Sequence, residues 1–144
     1  KYIKQTAFTP IEKSTIIYNR FLSSISCNGL TTFESTINKL CNRGIIITDE
    51  INLSSYIISV FISYFKKSGY DIFVFHNPIC PDNKIDHIII PDLKLGIFTT
   101  NSTFELNNKN ENYKSINSKQ FIDKNYISNN KNKINLKKKL ALQL

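Results

Sequence analysis

The most regular pattern of apolar and polar positions in the chain runs from residue 53 to residue 67. Leu53, Tyr56, Ile57, Val60, Phe61, Tyr64 and Phe65 recur at i, i+3, i+4, i+7 and i+8, the spacing that lays one apolar stripe along an α-helix. Lys66, Lys67 and Gly69 supply the C-terminal signals, because cations offset the last carbonyls and glycine takes the left-handed turn beyond them. Just upstream, Ile45-Ile46-Ile47 is short, β-branched and continuously apolar, as a strand covered on both faces must be. Residues 70–76 read as the next strand. Strand, helix and strand then form a unit expected to cross over right-handed into a parallel sheet. After a polar loop over residues 77–86, Ile88-Ile89-Ile90 and residues 93–98 predict two further strands. Pro91 lacks the donor that a continuous ladder needs and holds them apart.

The N-terminal part carries a weaker pattern. Thr9-Pro10 followed by Ile11, Ile16, Ile17, Phe21, Leu22 and Ile25 predicts a first helix, with Thr9 as its cap, Pro10 in its first turn and Asn28-Gly29 as its end. A second helix is predicted over residues 32–40, with Phe33, Ile37 and Leu40 on one face, and Asn42-Arg43-Gly44 turns into the isoleucine strand. The expected class is α/β, a three-layer domain on a mainly parallel sheet over residues 1–106.

Charge separates the rest of the chain from that domain. Residues 1–106 hold ten Lys/Arg against nine Asp/Glu, whereas residues 107–144 hold nine Lys against two acids, so nearly all of the net +8 sits in the second segment. That segment also carries ten asparagines and few bulky apolar residues, too little to offset the entropy of ordering. It is expected to be a flexible, basic tail. A lysine-rich tail suits nucleic acid or an acidic surface, through residues 109–139 or a short basic amphipathic helix over residues 136–144. Sparse aromatics and the lack of arginine there argue against nucleic acid, and A/T-rich codons account for much of the composition, since Ile, Lys and Asn make up 59 of 144 residues.

Several function classes are excluded or disfavoured. No run of about 18 apolar residues is present to span a membrane, and the first residues lack the apolar core of a secretory signal, so a cytoplasmic location is expected. The chain starts with lysine and has no methionine, so it is expected to be one piece of a longer product. Cys27, Cys41 and Cys80 are odd in number and widely spaced, as reduced thiols are. His76, Cys80 and His87 lie near one loop but match no common metal-ligand spacing, and no metal is expected. Asp82 and Asp86 beside His87 sit among Pro78, Pro81 and Asn83, the marks of a surface loop. No nucleophile elbow, H-E-x-x-H helix or G-x-G-x-x-G loop occurs, and no catalytic residue is assigned.

The turn between the isoleucine strand and the long helix is the one segment with a functional layout. Strand, polar turn and amphipathic helix are arranged over residues 44–55 as in a phosphate-binding loop, where G-x-x-x-x-G-K-[ST] would stand. The glycines and the lysine are missing, and Asp49 and Glu50 occupy the turn. Asn52, Ser54 and Ser55 are the only candidate nucleotide contacts, and both serines could instead cap the helix.

Three blocks around this turn carry a resemblance: Ala7-Phe8-Thr9-Pro10, the run from Gly69 to His76, and the run from Ile88 to Phe98. In their order they resemble an uncharacterised bacterial family of P-loop ATPase-like proteins of spore formers, whose members carry two tandem P-loop domains. This chain is most similar to the second domain, over roughly residues 7–106. The resemblance implies a P-loop NTPase-like fold and, as partner, a companion P-loop domain in the same or a neighbouring chain. It also implies what has been lost. Leu53 falls where the phosphate-binding lysine belongs, and Thr99 falls where an acid toward magnesium belongs. His76 matches a family histidine, although Asn77 replaces the cysteine that often follows. Losing the lysine contact alone weakens phosphate binding by about 10- to 150-fold.

The expectation is therefore a degenerate P-loop domain without hydrolysis, structural or regulatory beside an active domain, with no cofactor. One alternative is a divergent nucleotide-binding ATPase or kinase-like domain that holds ATP and magnesium through Ser54 and Ser55. The other is binding of nucleic acid or an acidic surface through the basic tail.

Overall fold

The computed structural model describes residues 14–101, 106, 111–122 and 132. In chain order its elements are strands β1 (Ile17–Arg20), β2 (Ser23–Ser26) and β3 (Gly29–Thr32), helix α1 (Glu34–Leu40), strand β4 (Arg43–Thr48), helix α2 (Ser54–Lys67), and strands β5 (Ile72–His76), β6 (Ile85–Ile90), β7 (Leu95–Thr100) and β8 (Tyr113–Asn117). Short 3₁₀ turns follow β6 (Pro91–Leu93) and β8 (Ser118–Phe121).

Six strands form one sheet in the order β1-β5-β6-β7-β4-β8, while β2 and β3 pair as a separate antiparallel hairpin. β1 lies parallel to β5, β7 to β4, and β4 to β8, whereas β6 is antiparallel to both of its neighbours. Every strand of this sheet but β6 thus runs the same way, and the molecule is α/β with a mostly parallel sheet. β4 and β5, which flank α2 in sequence, do run parallel, but β6 and β7 lie between them. The polar loop before β6 turns the chain straight back, and the 3₁₀ turn at Pro91–Leu93 turns it again, so a meander fills the gap. Lys94 completes that second turn in the left-handed region, at φ 48°.

The sheet is buried from both sides, and successive residues divide between two cores as the pleat requires. Ile47, Ile72, Val74, Ile88, Ile90 and Ile97 pack with Ile58 and Phe65 of α2. Ile89, Phe98 and Phe75 pack on the other side with Ile37 of α1, Cys41 and Leu22. At one place backbones touch: Gly44 of β4 faces Gly96 of β7, and a Cβ on Gly44 would come within 2.3 Å of the Gly96 carbonyl oxygen. Gly44 is therefore a residue of the strand rather than of the turn before it.

Two sequence expectations are corrected. The helix predicted from residue 9 to residue 28 is absent where the chain is described, because β1 and β2 occupy that stretch; its Thr9-Pro10 start lies outside the described residues. The β-branched pair Ile16-Ile17 favours extended chain, and the turn Cys27-Asn28 closes a hairpin in which Ser26 pairs with Gly29, the first residue of β3. Gly29 takes φ 98°, which other residues rarely adopt. Secondly, residues 111–122, assigned to the flexible tail, fold onto the domain: β8 extends the sheet beside β4. Residues 123–131 and 133–144 of that tail, with the predicted basic helix, lie outside the described residues.

Candidate functional site

The turn from Asp49 to Leu53 leaves the C-terminal end of β4 and enters α2, the side of a parallel sheet where α/β proteins bind ligands. The first amides of any helix lack intrahelical acceptors and carry the positive end of its dipole. No side chain of the helix or of Leu53, its N-cap, satisfies them here. Asp49 does. Its Oδ1 accepts from the amides of Ile51 at 3.2 Å and Leu53 at 3.1 Å, and its Oδ2 accepts from the amide of Ser54 at 2.8 Å. The buried hydroxyl of Ser118, in the turn after β8, donates to Oδ1 at 3.0 Å. Asn52 turns the backbone through the left-handed region, at φ 61°, as an asparagine tolerates.

The carboxylate is only 6% exposed, and burial by itself would push its pKa up. The hydrogen bonds from the Ser54 hydroxyl and amide, from the Leu53 amide and from Ser118 outweigh that cost and hold it below the ordinary value. Asp49 is thus an internal anion. It fills the convergent amides at a helix N-terminus, an arrangement that favours an anion. Glu50 points elsewhere and forms an ion pair with Lys119, half-exposed on both sides.

The three candidate contacts read from the sequence are differently placed. Asn52 is exposed. Ser54 is buried, with its amide and hydroxyl committed to Asp49. Ser55 Oγ is buried with no hydrogen-bond partner. Neither serine is the helix cap, because that position belongs to Leu53. The Leu53 amide, not its side chain, takes part in the cluster. Thr99 is buried in β7, and its amide donates to Nδ1 of His87 at 3.1 Å. Ser118 and Lys119 are the residues that sequence reasoning missed. They stand 69 positions from their partners, in a segment whose composition signalled a tail.

The histidines serve different surroundings. His76, at the end of β5, donates from Nδ1 to the Pro81 carbonyl at 2.7 Å, and its Nε2 lies 2.8 Å from Oδ1 of Asn19, so it ties β1 to the loop before β6. His87 is fully buried beside Phe98, and desolvation, with Lys84 adding to it, lowers its pKa to about 3. Asp86, one residue earlier on β6, points to the opposite face. It accepts from Nδ2 of the Asn77 side chain and pairs with Lys84 at 3.7 Å, while burial still pushes its carboxyl up. Among the described residues no three His, Cys, Asp or Glu side chains gather as metal ligands. No helix among them is long and apolar enough to cross a membrane.

No family model, no curated protein and no solved structure matches the chain.

Proposed function

We propose that this is a degenerate P-loop-like domain that does not hydrolyse nucleotide and serves a structural or regulatory role beside an active companion domain. The observation that carries this reading is the Asp49 carboxylate seated in the amides of Ile51, Leu53 and Ser54. A triphosphate entering this turn would need to displace a buried, hydrogen-bonded anion, and without displacement it would meet that charge directly. Phosphoryl transfer depends on positioning and charge neutralisation. The nearby cation, Lys119, is already paired with Glu50. Leu53 and Thr99 stand at the positions that the resemblance gives to the lysine and the magnesium-binding acid.

The test is thermal unfolding of the chain with ATP or GTP at millimolar concentration, with and without magnesium. The proposal expects no shift in Tm, and a magnesium-dependent rise would contradict it. Leu53→Lys is expected to leave ATP turnover undetectable while Asp49 and Glu50 remain; turnover in that variant would count against the reading. The competing proposal, a divergent nucleotide-binding domain, draws on the unpartnered Ser55 hydroxyl in the first turn of α2. It predicts nucleotide stabilisation that Ser55→Ala abolishes.

A further inference from the structure

We infer that β8 and the 3₁₀ turn behind it act as a latch on the turn before α2, so that attachment of β8 to β4 and seating of Asp49 among the amides form one coupled equilibrium. The inference goes beyond the nucleotide reading and does not depend on it.

The observations that support it lie along β8 and the turn it meets. β8 is the outermost strand of the sheet beyond β4, with two of its five residues, Lys114 and Ser115, exposed. It is held by its ladder to β4, and by Tyr113, whose hydroxyl lies 3.4 Å from Cys41 Sγ and whose ring meets Phe98. The strand leads directly into two consecutive residues that both grip the turn. Ser118, fully buried, donates to Asp49, and Lys119 pairs with Glu50. The geometry of that grip is fixed locally, because Asn117 Oδ1 accepts from the Lys119 amide and sets the 3₁₀ turn. Asp49 itself follows directly on β4, the strand to which β8 pairs, and its amide donates to Thr100 at the end of β7. Peeling β8 from β4 therefore withdraws Ser118 and Lys119 together. Asp49 then loses the hydroxyl donor that Ser118 supplies from 69 residues away. An outer strand is the kind of element that opens locally at low free energy, so this is a state the protein can visit without unfolding.

Coupling between two sites is reciprocal. The experiment is hydrogen exchange on the full chain, resolved to the amides of Ile51, Leu53 and Ser54 on one side and of β8 on the other. Ser118→Ala is expected to speed exchange at Leu53 and Ser54 by roughly tenfold, as loss of a hydrogen bond to a charged group implies. Asp49→Asn is expected to speed exchange in β8 in return. The amides of β5 serve as the control and should keep their rates in both variants. Lys119→Gln, a surface change that leaves the core intact, should act in the same direction by about two- to threefold. It decides the matter if Ser118→Ala proves globally unstable. Turn amides that keep their wild-type rates in Ser118→Ala, or in Lys119→Gln where the first variant does not fold, would overturn the latch. So would a β8 indifferent to Asp49→Asn.

Discussion

At the scale of single residues, acids and a histidine decide how the molecule responds to pH. His87 is neutral in the fold down to about pH 3, while in the unfolded chain it takes up a proton near pH 6.5. Its folded pKa is depressed, so the unfolded state binds more protons between those values and stability falls as pH drops through that window. At about 1.4 kcal/mol per pH unit, the ceiling on this loss is roughly 4–5 kcal/mol. Asp86 opposes it near the bottom of the window, because a raised carboxyl pKa lets the folded state take up a proton first. His87→Asn keeps an acceptor for the Thr99 amide but cannot titrate. Denaturant unfolding of that variant is expected to give lower stability at pH 7 and a flatter slope between pH 6.5 and 4.5; an unchanged slope would exclude His87 as its source. Gly44→Ala places a methyl against the Gly96 carbonyl and the Tyr113 ring. It is expected to cost about 1–3 kcal/mol, measured by the same unfolding experiment.

At the scale of elements, legibility followed the strength of the local period. α2 carries an unbroken 3.6-residue stripe closed by Lys66, Lys67 and Gly69, and a helix opening at Ser54-Ser55 and stopping over Lys66-Lys67-Ser68-Gly69, as the sequence predicts, agrees with the structure. The break at Pro91 was legible for a stereochemical reason, since a missing donor has one meaning inside a sheet. The N-terminal hairpin was not legible, because Phe21, Leu22 and Ile25 satisfy helical spacing as easily as a strand's. Asn28-Gly29, read as a helix end, instead spans the end of a hairpin turn and the first residue of β3. The neighbour order of β4, β7, β6 and β5 was hidden too, since nothing local says that a βαβ unit will have a meander inserted into it. Ile58, fully buried where α2 meets the sheet, gives the element-scale prediction: Ile58→Ala is expected to destabilise the fold by about 2–5 kcal/mol. A loss below 1 kcal/mol would mean that α2 contributes little to the core.

At the scale of the whole molecule, composition misled where topology decided. Residues 111–122 are as polar as the tail they were assigned to, and no local pattern recommends them as a strand. They become ordered because β4 offers an open edge whose ladder they complete, and because Ser118 and Lys119 meet two acids 69 residues away. The layout of the candidate site was visible in the sequence, down to the two acids in the turn. That Asp49 faces the helix follows from the fold of the turn itself, whereas the contacts of Ser118 to Asp49 and Lys119 to Glu50 depend on packing that brings β8 beside β4. The most direct test of this account is an NMR pH titration of the Ile51, Leu53 and Ser54 amide protons. The account predicts that all three shift together with one midpoint below the ordinary carboxyl value of 3.8, and that Asp49→Asn abolishes the transition. Amides that do not respond, or that titrate separately at or above that value, would contradict it.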